Sequence, residues 1–343
     1  MKITLIGEPW LMPPKYYGGA DRMLHLLARG LEKRGHTVHL MAGKGSCEYG
    51  GRFISYKNQS KSLASRAYRR IDFGLKTLWL ARDADIIHSF KFWPSYHWSV
   101  NNIGKPVVYT QQNTVSPTDL LSVIKSNPKH GYMQAISQSQ IRNLNVQGSA
   151  TPFVIHNAVD TEVIRPIVRP SRDYLAYLGR LNYDKGIDIA VRLSLQTGIP
   201  LKIAGVVRPA EPDAALLFEK AVKPFLGNQI EFIGAIDDSQ KSRFLGNALA
   251  LLMPNRWNEP FGIVIAEALS AGTPVIGTNL GSIPELVEDG KTGLICDSYD
   301  ELFNSIHHVD KIRPGECRKA ALNKFSEKVY MDNILRMYAN ILA

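Results

Sequence analysis

The chain has 343 residues, 45% of them hydrophobic and 21% charged, and no apolar run approaches the roughly 20 residues that a membrane-spanning helix needs. That length is too great for one ordinary core and suggests about two domains. The net charge of +10 is unevenly held, with 21 Lys and Arg against 10 Asp and Glu in residues 1–165 and 20 against 21 in the remainder.

The opening run KITLIG is apolar over too few residues for a secretory signal and reads as a first buried strand, so a cytosolic location is expected. In KYYGGADR, Gly18 and Gly19 open a helix whose Met23, Leu24, Leu27 and Leu31 share one face and which ends near Gly35. Paired glycines there permit close backbone approach to a ligand, or simply a turn; the G-x-G-x-x-G dinucleotide fingerprint is missing. HTVHLMAG reads as the next strand. SLASRAYRRIDFGLKTLWLAR then has helical periodicity, with a stripe of Leu63, Ala67, Ile71, Leu75, Leu78 and Trp79 and with Arg66, Arg69, Arg70 and Lys76 elsewhere on its surface. It is expected to be a surface helix packed on the first core; docking on a membrane interface or binding an acidic acceptor is the alternative.

ADIIHSF, KPVVYT, GYMQAIS and TPFVIHN continue as strands. Pro166 and Pro170 interrupt both periodicities, which puts a domain join near residue 165. Beyond it DYLAYLGRL, PLKIAGV, QIEFIGA, ALALLMPN, TPVIGTN and TGLICD repeat the strand pattern to about residue 324, and FSEKVYMDNILRMYANIL reads as a last helix. Alternating short apolar and longer amphipathic runs specify α/β units around parallel sheets, so two Rossmann-like domains are expected. Cys47, Cys296 and Cys317 have neither metal-ligand spacing nor the number for a disulfide framework, and are expected to be packing residues.

The chemistry is concentrated in NEPFGIVIAEALSAGTPVIG, residues 258–277. Pro260 suits the first turn of a helix, so Glu259 should lie just outside the helix start. The first-turn amides of Phe261, Gly262, Ile263 and Val264 would then face outward with the helix dipole behind them, forming an anion site fit for a phosphate. Glu267 would lie roughly 6 to 8 Å further along, where a carboxylate can accept both hydroxyls of a ribose. A carboxylate amid Ile265, Ala266, Ala268 and Leu269 needs a ligand or a buried partner. Glu259 would face hydroxyl-rich substrate, or merely complement the helix terminus. A diphosphate needs more positive charge, which LGRLNYDKG offers as Arg180 and Lys185 after a strand.

Together these segments resemble the retaining family 4 glycosyltransferases of GT-B architecture. EPFGIVIAE with ALSAGTPVIGTNLGSIPELVEDGKTGLI looks like that family's donor site, and YGGADR, LGRLNYDKGID, AISQSQ and VIHNAVD follow in the family's order. The resemblance implies two Rossmann-like domains facing across a cleft. An acceptor-side domain would span 1–165 and a donor-binding domain 166–324, with a final helix of about 325–343 crossing back to the first. It implies a nucleotide-diphosphate sugar as co-substrate, a uridine one by family frequency, with no required metal or other cofactor. Glu267 would hold the ribose and Arg180 and Lys185 the diphosphate. Glu259, with the amides of Phe261 to Val264, would hold the sugar and distal phosphate, while Gly18 and Gly19 would close over the phosphate. The catalytic set would be Glu259, Arg180, Lys185 and His88.

Departures from the pattern fall on the acceptor side. His88 stands where many members have the first residue of His-x-His, but the second is Phe90, and a histidine common in the next strand's loop is replaced by Gln112. FKFWPSYHW supplies aromatic rings for sugar or lipid, or for the core. Asp83-Ala84-Asp85 has the spacing of a metal motif from another transferase fold, yet it directly precedes an apolar strand and no metal is expected there. The implied acceptor is a sugar, lipid-linked or other hydroxyl compound in envelope glycan, lipopolysaccharide or glycolipid synthesis. The basic half suggests an acidic acceptor or a peripheral position on the inner face of an anionic membrane, and no nucleic-acid recognition motif is present. Phe90 and Gln112 leave open a second reading, a sugar-nucleotide-binding protein with weak turnover.

Overall fold

The computed structural model describes residues 1–14, 18–56, 63–90, 100, 103–116, 118, 130–142, 151–207, 211–227 and 229–343. These fall into two compact units, residues 1–156 together with 330–343, and residues 157–329. Each unit is built on one all-parallel sheet.

The first unit contains β1 (Lys2–Ile6), β2 (Thr37–Ala42), β3 (Phe53–Ser55), β4 (Ile86–Ser89), β5 (Val107–Thr110), β6 (Gly131–Ala135) and β7 (Phe153–Val154), in sheet order β3-β2-β1-β4-β5-β6-β7. Its described helices are α1 (Gly19–Lys33), α2 (Leu63–Ala81), the short α3 (Gln138–Ile141) and most of the final helix. Strand β3 has no counterpart in the sequence reading because three residues on a sheet edge, two half-buried and one exposed, are too few to display alternation. One side of the sheet packs Ile6, Met41, Ile87, Val107 and Tyr109 against Phe73, Leu80 and Ala81 of α2.

That contact corrects the expected orientation of α2. The buried residues are Phe73, Thr77, Leu80 and Ala81, whereas Ile71, Leu75, Leu78 and Trp79 of the predicted core stripe are exposed, as is Tyr68. The side chains of Leu63, Arg66, Ala67 and Arg69 lie outside the described set, as do the KYY of KYYGGADR and most of FKFWPSYHW. Cys296 and Cys317 are buried and free as expected, but Cys47 is exposed.

The second unit contains β8 (Tyr174–Arg180), β9 (Leu201–Val206), β10 (Ile230–Gly234), β11 (Ala248–Met253), β12 (Val275–Thr278) and β13 (Gly293–Cys296), in order β10-β9-β8-β11-β12-β13. Its helices are α4 (Ile187–Thr197), α5 (Pro212–Ala221), α6 (Asp238–Gly246), α7 (Ile263–Ser270), α8 (Ile283–Leu286), α9 (Tyr299–Ile306) and α10 (Pro314–Phe325). Arg318 of α10 donates to the carbonyls of Thr161, Ile164 and Ser270, which ties residues 161–164 into this unit. The last helix, α11 (Glu327–Leu342), starts here, and from Tyr330 onward it belongs to the first unit.

Strand order reverses between β1 and β4 in one sheet and between β8 and β11 in the other. At such a reversal the following helices leave toward opposite faces, opening a crevice beyond the carboxyl ends of the two strands.

Candidate functional site

In the second unit the crevice lies where β8 ends at Arg180 and β11 runs into Pro254–Glu259. Asn182 caps a single 3-10 turn through the Lys185 amide at 3.2 Å, and Gly186 follows at φ 68. A β-carbon on Gly186 would collide with the Pro254 carbonyl, so only glycine lets this loop lie on the β11 loop. Arg256 clasps the two together. Its guanidinium donates to both carboxylate oxygens of Asp188 at 2.7 and 2.6 Å and to the Tyr183 carbonyl at 2.9 Å. Burial pushes the Asp188 carboxyl upward, but the Arg256 bonds outweigh it and hold its pKa below the ordinary range.

This clasp carries Lys185 to Glu259. Their side chains form a close ion pair, and Glu259 Oε2 also accepts from Asn255 Nδ2 at 3.0 Å and Trp257 Nε1 at 3.2 Å. The Lys185 ammonium lies 4.8 Å from the centre of the Trp257 ring. Burial lowers its pKa, with the Glu259 charge opposing and that of Arg180 assisting the shift. Arg180 itself has an ion-pair contact with Glu211 at 3.9 Å, and its buried Nε has no hydrogen-bond partner among the described residues.

The helix start differs from expectation. Gly262 at φ 75 turns the chain, so α7 begins at Ile263 and Pro260 and Phe261 lie in the preceding loop. The Phe261 ring is buried, edge-on to Phe325 at 5.9 Å, and the Phe261 carbonyl accepts from Ser282 Oγ at 2.8 Å. The expected run of first-turn amides therefore reduces to Gly262, Ile263 and Val264, none of which donates to an acceptor among the described residues. Behind the loop Gly281, at φ 61, abuts the Glu259 backbone, and the Ser282 amide donates to the Glu259 carbonyl at 2.9 Å.

Glu267, in the second turn of α7, has the buried partner that its apolar neighbours required. Lys241 of α6, only 5% exposed, donates to Glu267 Oε1 at 2.5 Å and pairs with Asp238 at 2.9 Å. Glu267 Oε2 is buried and has no partner among the described residues. Lys241 escaped the sequence reading, although a signal exists. Lys241, Phe244 and Leu245 repeat at i, i+3 and i+4 and are all buried, so the lysine sits on the apolar face of α6. Asn255 and Trp257 were missed because nothing in NRWNEP distinguishes them from ordinary loop residues.

The first-unit candidates do not form such a cluster. Gly18 is the cap of α1 at φ 150, and its carbonyl accepts from the Arg22 amide at 3.0 Å. His88, expected in the catalytic set, is fully buried between α11 and the sheet. Its Nδ1 lies 2.6 Å from the Tyr338 hydroxyl and its Nε2 2.6 Å from Thr110 Oγ1. Thr110 donates its single hydroxyl proton to Gln134 Oε1, so it accepts from His88 Nε2–H, and Tyr338 donates to Nδ1. This is a neutral ring with both nitrogens used, and burial lowers its pKa to about 3. In this geometry His88 anchors α11. Phe90 is buried beside it, ring centres 5.1 Å apart. Asp83 is occupied by Lys2, Arg52 and His39, and Asp85 accepts from the Lys2 amide. No group of metal ligands occurs among the described residues.

At this strand-order reversal the structure thus brings together three helix-start amides without an acceptor among the described residues, the Lys185–Glu259 pair, and Glu267 eight residues further on, with Arg180 at the end of the strand that leads into the loop of Lys185. Residues 17–163 match the model described as Glycosyltransferase Family 4, and residues 161–319 match Glycosyl transferases group 1. The chain belongs to the family 4 glycosyltransferases, and its two parallel-sheet units have the GT-B fold.

A glycogen synthase of Mycobacterium tuberculosis is 34% identical over 176 residues, covering 48% of this chain and 41% of that protein. The chain thus spans less than half the length of that relative. A phosphatidylinositol N-acetylglucosaminyltransferase component of Arabidopsis thaliana is 24% identical over 87% of this chain and 72% of its own. Among solved structures, Anabaena Alr3699/HepE in complex with UDP and glucose superposes with a TM-score of 0.79 at 18% identity, covering 98% of this chain and 99% of its own.

Proposed function

We propose that this protein is a retaining glycosyltransferase that moves a sugar from a nucleotide-diphosphate donor, a UDP-sugar by preference, to an acceptor hydroxyl. The observation that carries the reading is the Lys185–Glu259 pair beside the amides of Gly262, Ile263 and Val264, with Glu267 Oε2 one helical turn beyond, none of these amides and not this oxygen having a partner among the described residues. A distal phosphate accepts from the amides, Arg180 and Lys185 neutralise the diphosphate, and Glu267 Oε2 accepts from the ribose hydroxyls. Lys241 is the residue that aims the carboxylate. Glu259, already holding three donors through one oxygen, orients the sugar hydroxyls.

As the glycosidic bond lengthens, negative charge grows on the departing diphosphate and positive charge on the sugar ring. Fixed cations and amides stabilise that charge without reorganising, so leaving-group stabilisation is the dominant catalytic contribution. With retention, the acceptor oxygen enters on the face the phosphate leaves and passes its proton to a phosphate oxygen. Neither glutamate acts as a nucleophile. His88, buried and neutral, supports α11 and takes no proton. The first unit carries the acceptor. A sugar or lipid-linked acceptor of envelope glycan, lipopolysaccharide or glycolipid synthesis fits, as does a cytoplasmic location on the inner membrane face. The name of the Arabidopsis relative, a phosphatidylinositol-modifying transferase, supports the lipid-linked case.

The test is calorimetry with uridine, guanosine and adenosine diphosphates, followed by mass spectrometry of donor-sugar hydrolysis. UDP is expected to bind, Glu267→Ala to weaken it at least tenfold, and a UDP-sugar to be hydrolysed slowly without acceptor. If none of these nucleotides binds, the reading is wrong. Binding with no hydrolysis and no transfer to any hydroxyl acceptor would favour the second reading, a weakly catalytic sugar-nucleotide-binding protein, to which the burial of Phe90 at the position of an expected active-site histidine points.

A further inference from the structure

Helix α2 presents two faces to two different surroundings. Phe73, Thr77, Leu80 and Ala81 are buried, and at 100° per residue they lie opposite an arc of about 100° holding Tyr68, Ile71, Leu75, Leu78 and Trp79. Those five are 71, 63, 64, 52 and 44% exposed. Isolated exposed apolar residues are ordinary, but a continuous stripe of five along one helix marks an interaction surface.

Charge identifies what the stripe meets. Residues 61–82 contain six Lys and Arg and one acidic residue, Asp72, which is paired with Lys76 at 2.7 Å. The guanidinium groups of Arg52, which is paired with Asp83, and of Arg82 lie 5.3 and 5.5 Å from the centre of the Trp79 ring, so Arg82 adds a cation at the carboxyl end of the stripe, and Arg70 is exposed nearer its start. Two copies of such a helix placed face to face would oppose like charges. An anionic surface with an apolar interior is complementary instead.

We propose that the exposed face of α2 docks on an anionic phospholipid bilayer. The helix lies in the plane of the interface, with Ile71, Leu75 and Leu78 entering the acyl boundary. Tyr68 and Trp79, ring body inward and polar tip outward, sit at headgroup level at the two ends, and the basic residues rest on the phosphates. The docking is lateral, since no described helix is long and apolar enough to cross a membrane. It deepens the reading of a lipid-linked acceptor but needs no donor chemistry, so its failure is separable from that of the transferase assignment.

The test is co-sedimentation of the full chain with phosphatidylcholine vesicles, with and without about one-third phosphatidylglycerol, at low and high salt. Wild-type protein should sediment with the anionic vesicles only, and less so at high salt. The triple variant Ile71→Ser, Leu75→Ser, Leu78→Ser should partition about 100-fold less. Arg70→Gln and Arg82→Gln should each cost roughly fivefold. UDP affinity, measured in parallel, should be the same in all of them. Equal sedimentation of the triple variant would overturn the proposal, as would a wild-type chain that stays in solution with both vesicle types. So would a concentration-dependent dimer that the triple variant abolishes while sedimentation is unaffected.

Discussion

Lys241 and Glu267 make a buried pair whose disruption has a calculable size. Replacing Lys241 by Met keeps the length and apolar stem of the side chain but leaves a carboxylate, 3% exposed, with neither oxygen partnered among the described residues. Asp238 also loses its lysine, but its side chain is 43% exposed and water replaces the contact at little cost. Stranding one member of a buried pair costs about 3–5 kcal/mol, whereas exchanging both members for apolar residues of similar volume is close to neutral. The lysine variant should therefore lose about 3–5 kcal/mol in urea unfolding of the second unit. For a unit of this size that corresponds to a fall in Tm of about 6–20 °C. Lys241→Met combined with Glu267→Leu should recover most of the stability while abolishing UDP binding. A lysine variant that loses under about 1 kcal/mol, or a double variant less stable than either single one, would refute the view that these two residues form an isolated, mutually dependent pair.

Other substitutions probe the remaining parts of the site. On the proposed reading, in which Lys185 is a fixed cation at the leaving group, Lys185→Met should lower kcat/KM for the donor by about 100- to 1000-fold while leaving the second unit folded, read from initial rates and circular dichroism. Gly281→Ala places a β-carbon against the Glu259 backbone at a positive φ, so it should both destabilise by more than about 1 kcal/mol and weaken UDP binding; a variant that binds normally would sever Gly281 from the site. His88 gives a pH signature. Its folded pKa of about 3 lies below the unfolded value, so the stability it contributes is complete above pH 6.5 and declines as pH falls toward 3. The gap in stability between wild type and His88→Asn should consequently narrow by about 2 kcal/mol between pH 8 and pH 5. In addition, the rate profile should carry no inflection that this variant removes.

Legibility differed between the two halves for physical reasons. In the second unit, the strand before LGRLNYDKG and the apolar run around Glu267 already placed a cationic loop and a buried carboxylate near a helix start. A buried charge in an apolar run is a strong signal because it is intolerable without a partner. The helix start itself was misplaced by three residues. Pro260 fits a first turn by its own geometry, and only the left-handed Gly262 reveals that the turn comes later. In the first unit, His88 gave no local hint that Tyr338, 250 residues away, occupies its ring.

Helix α2 is the sharpest case. Its periodicity established that one face is apolar, and the natural inference was that this face covers the core. Phe73, Leu80 and Ala81 form a second apolar face, and the sheet selects that one. Pattern alone cannot rank two faces that could both be buried, since the choice depends on the shape of the surface they meet.

The sequence by itself determined the alternation of strand and helix, the parallel sheets, and a carboxylate pair flanking a helix start, because these follow from local periodicity and from the cost of burying charge. The tertiary structure alone decided which lysine aims Glu267, that His88 is a neutral anchor, and which face of α2 is left open. Each of those depends on groups brought together across β-strand order, and contact between distant segments leaves no mark on the spacing of either one.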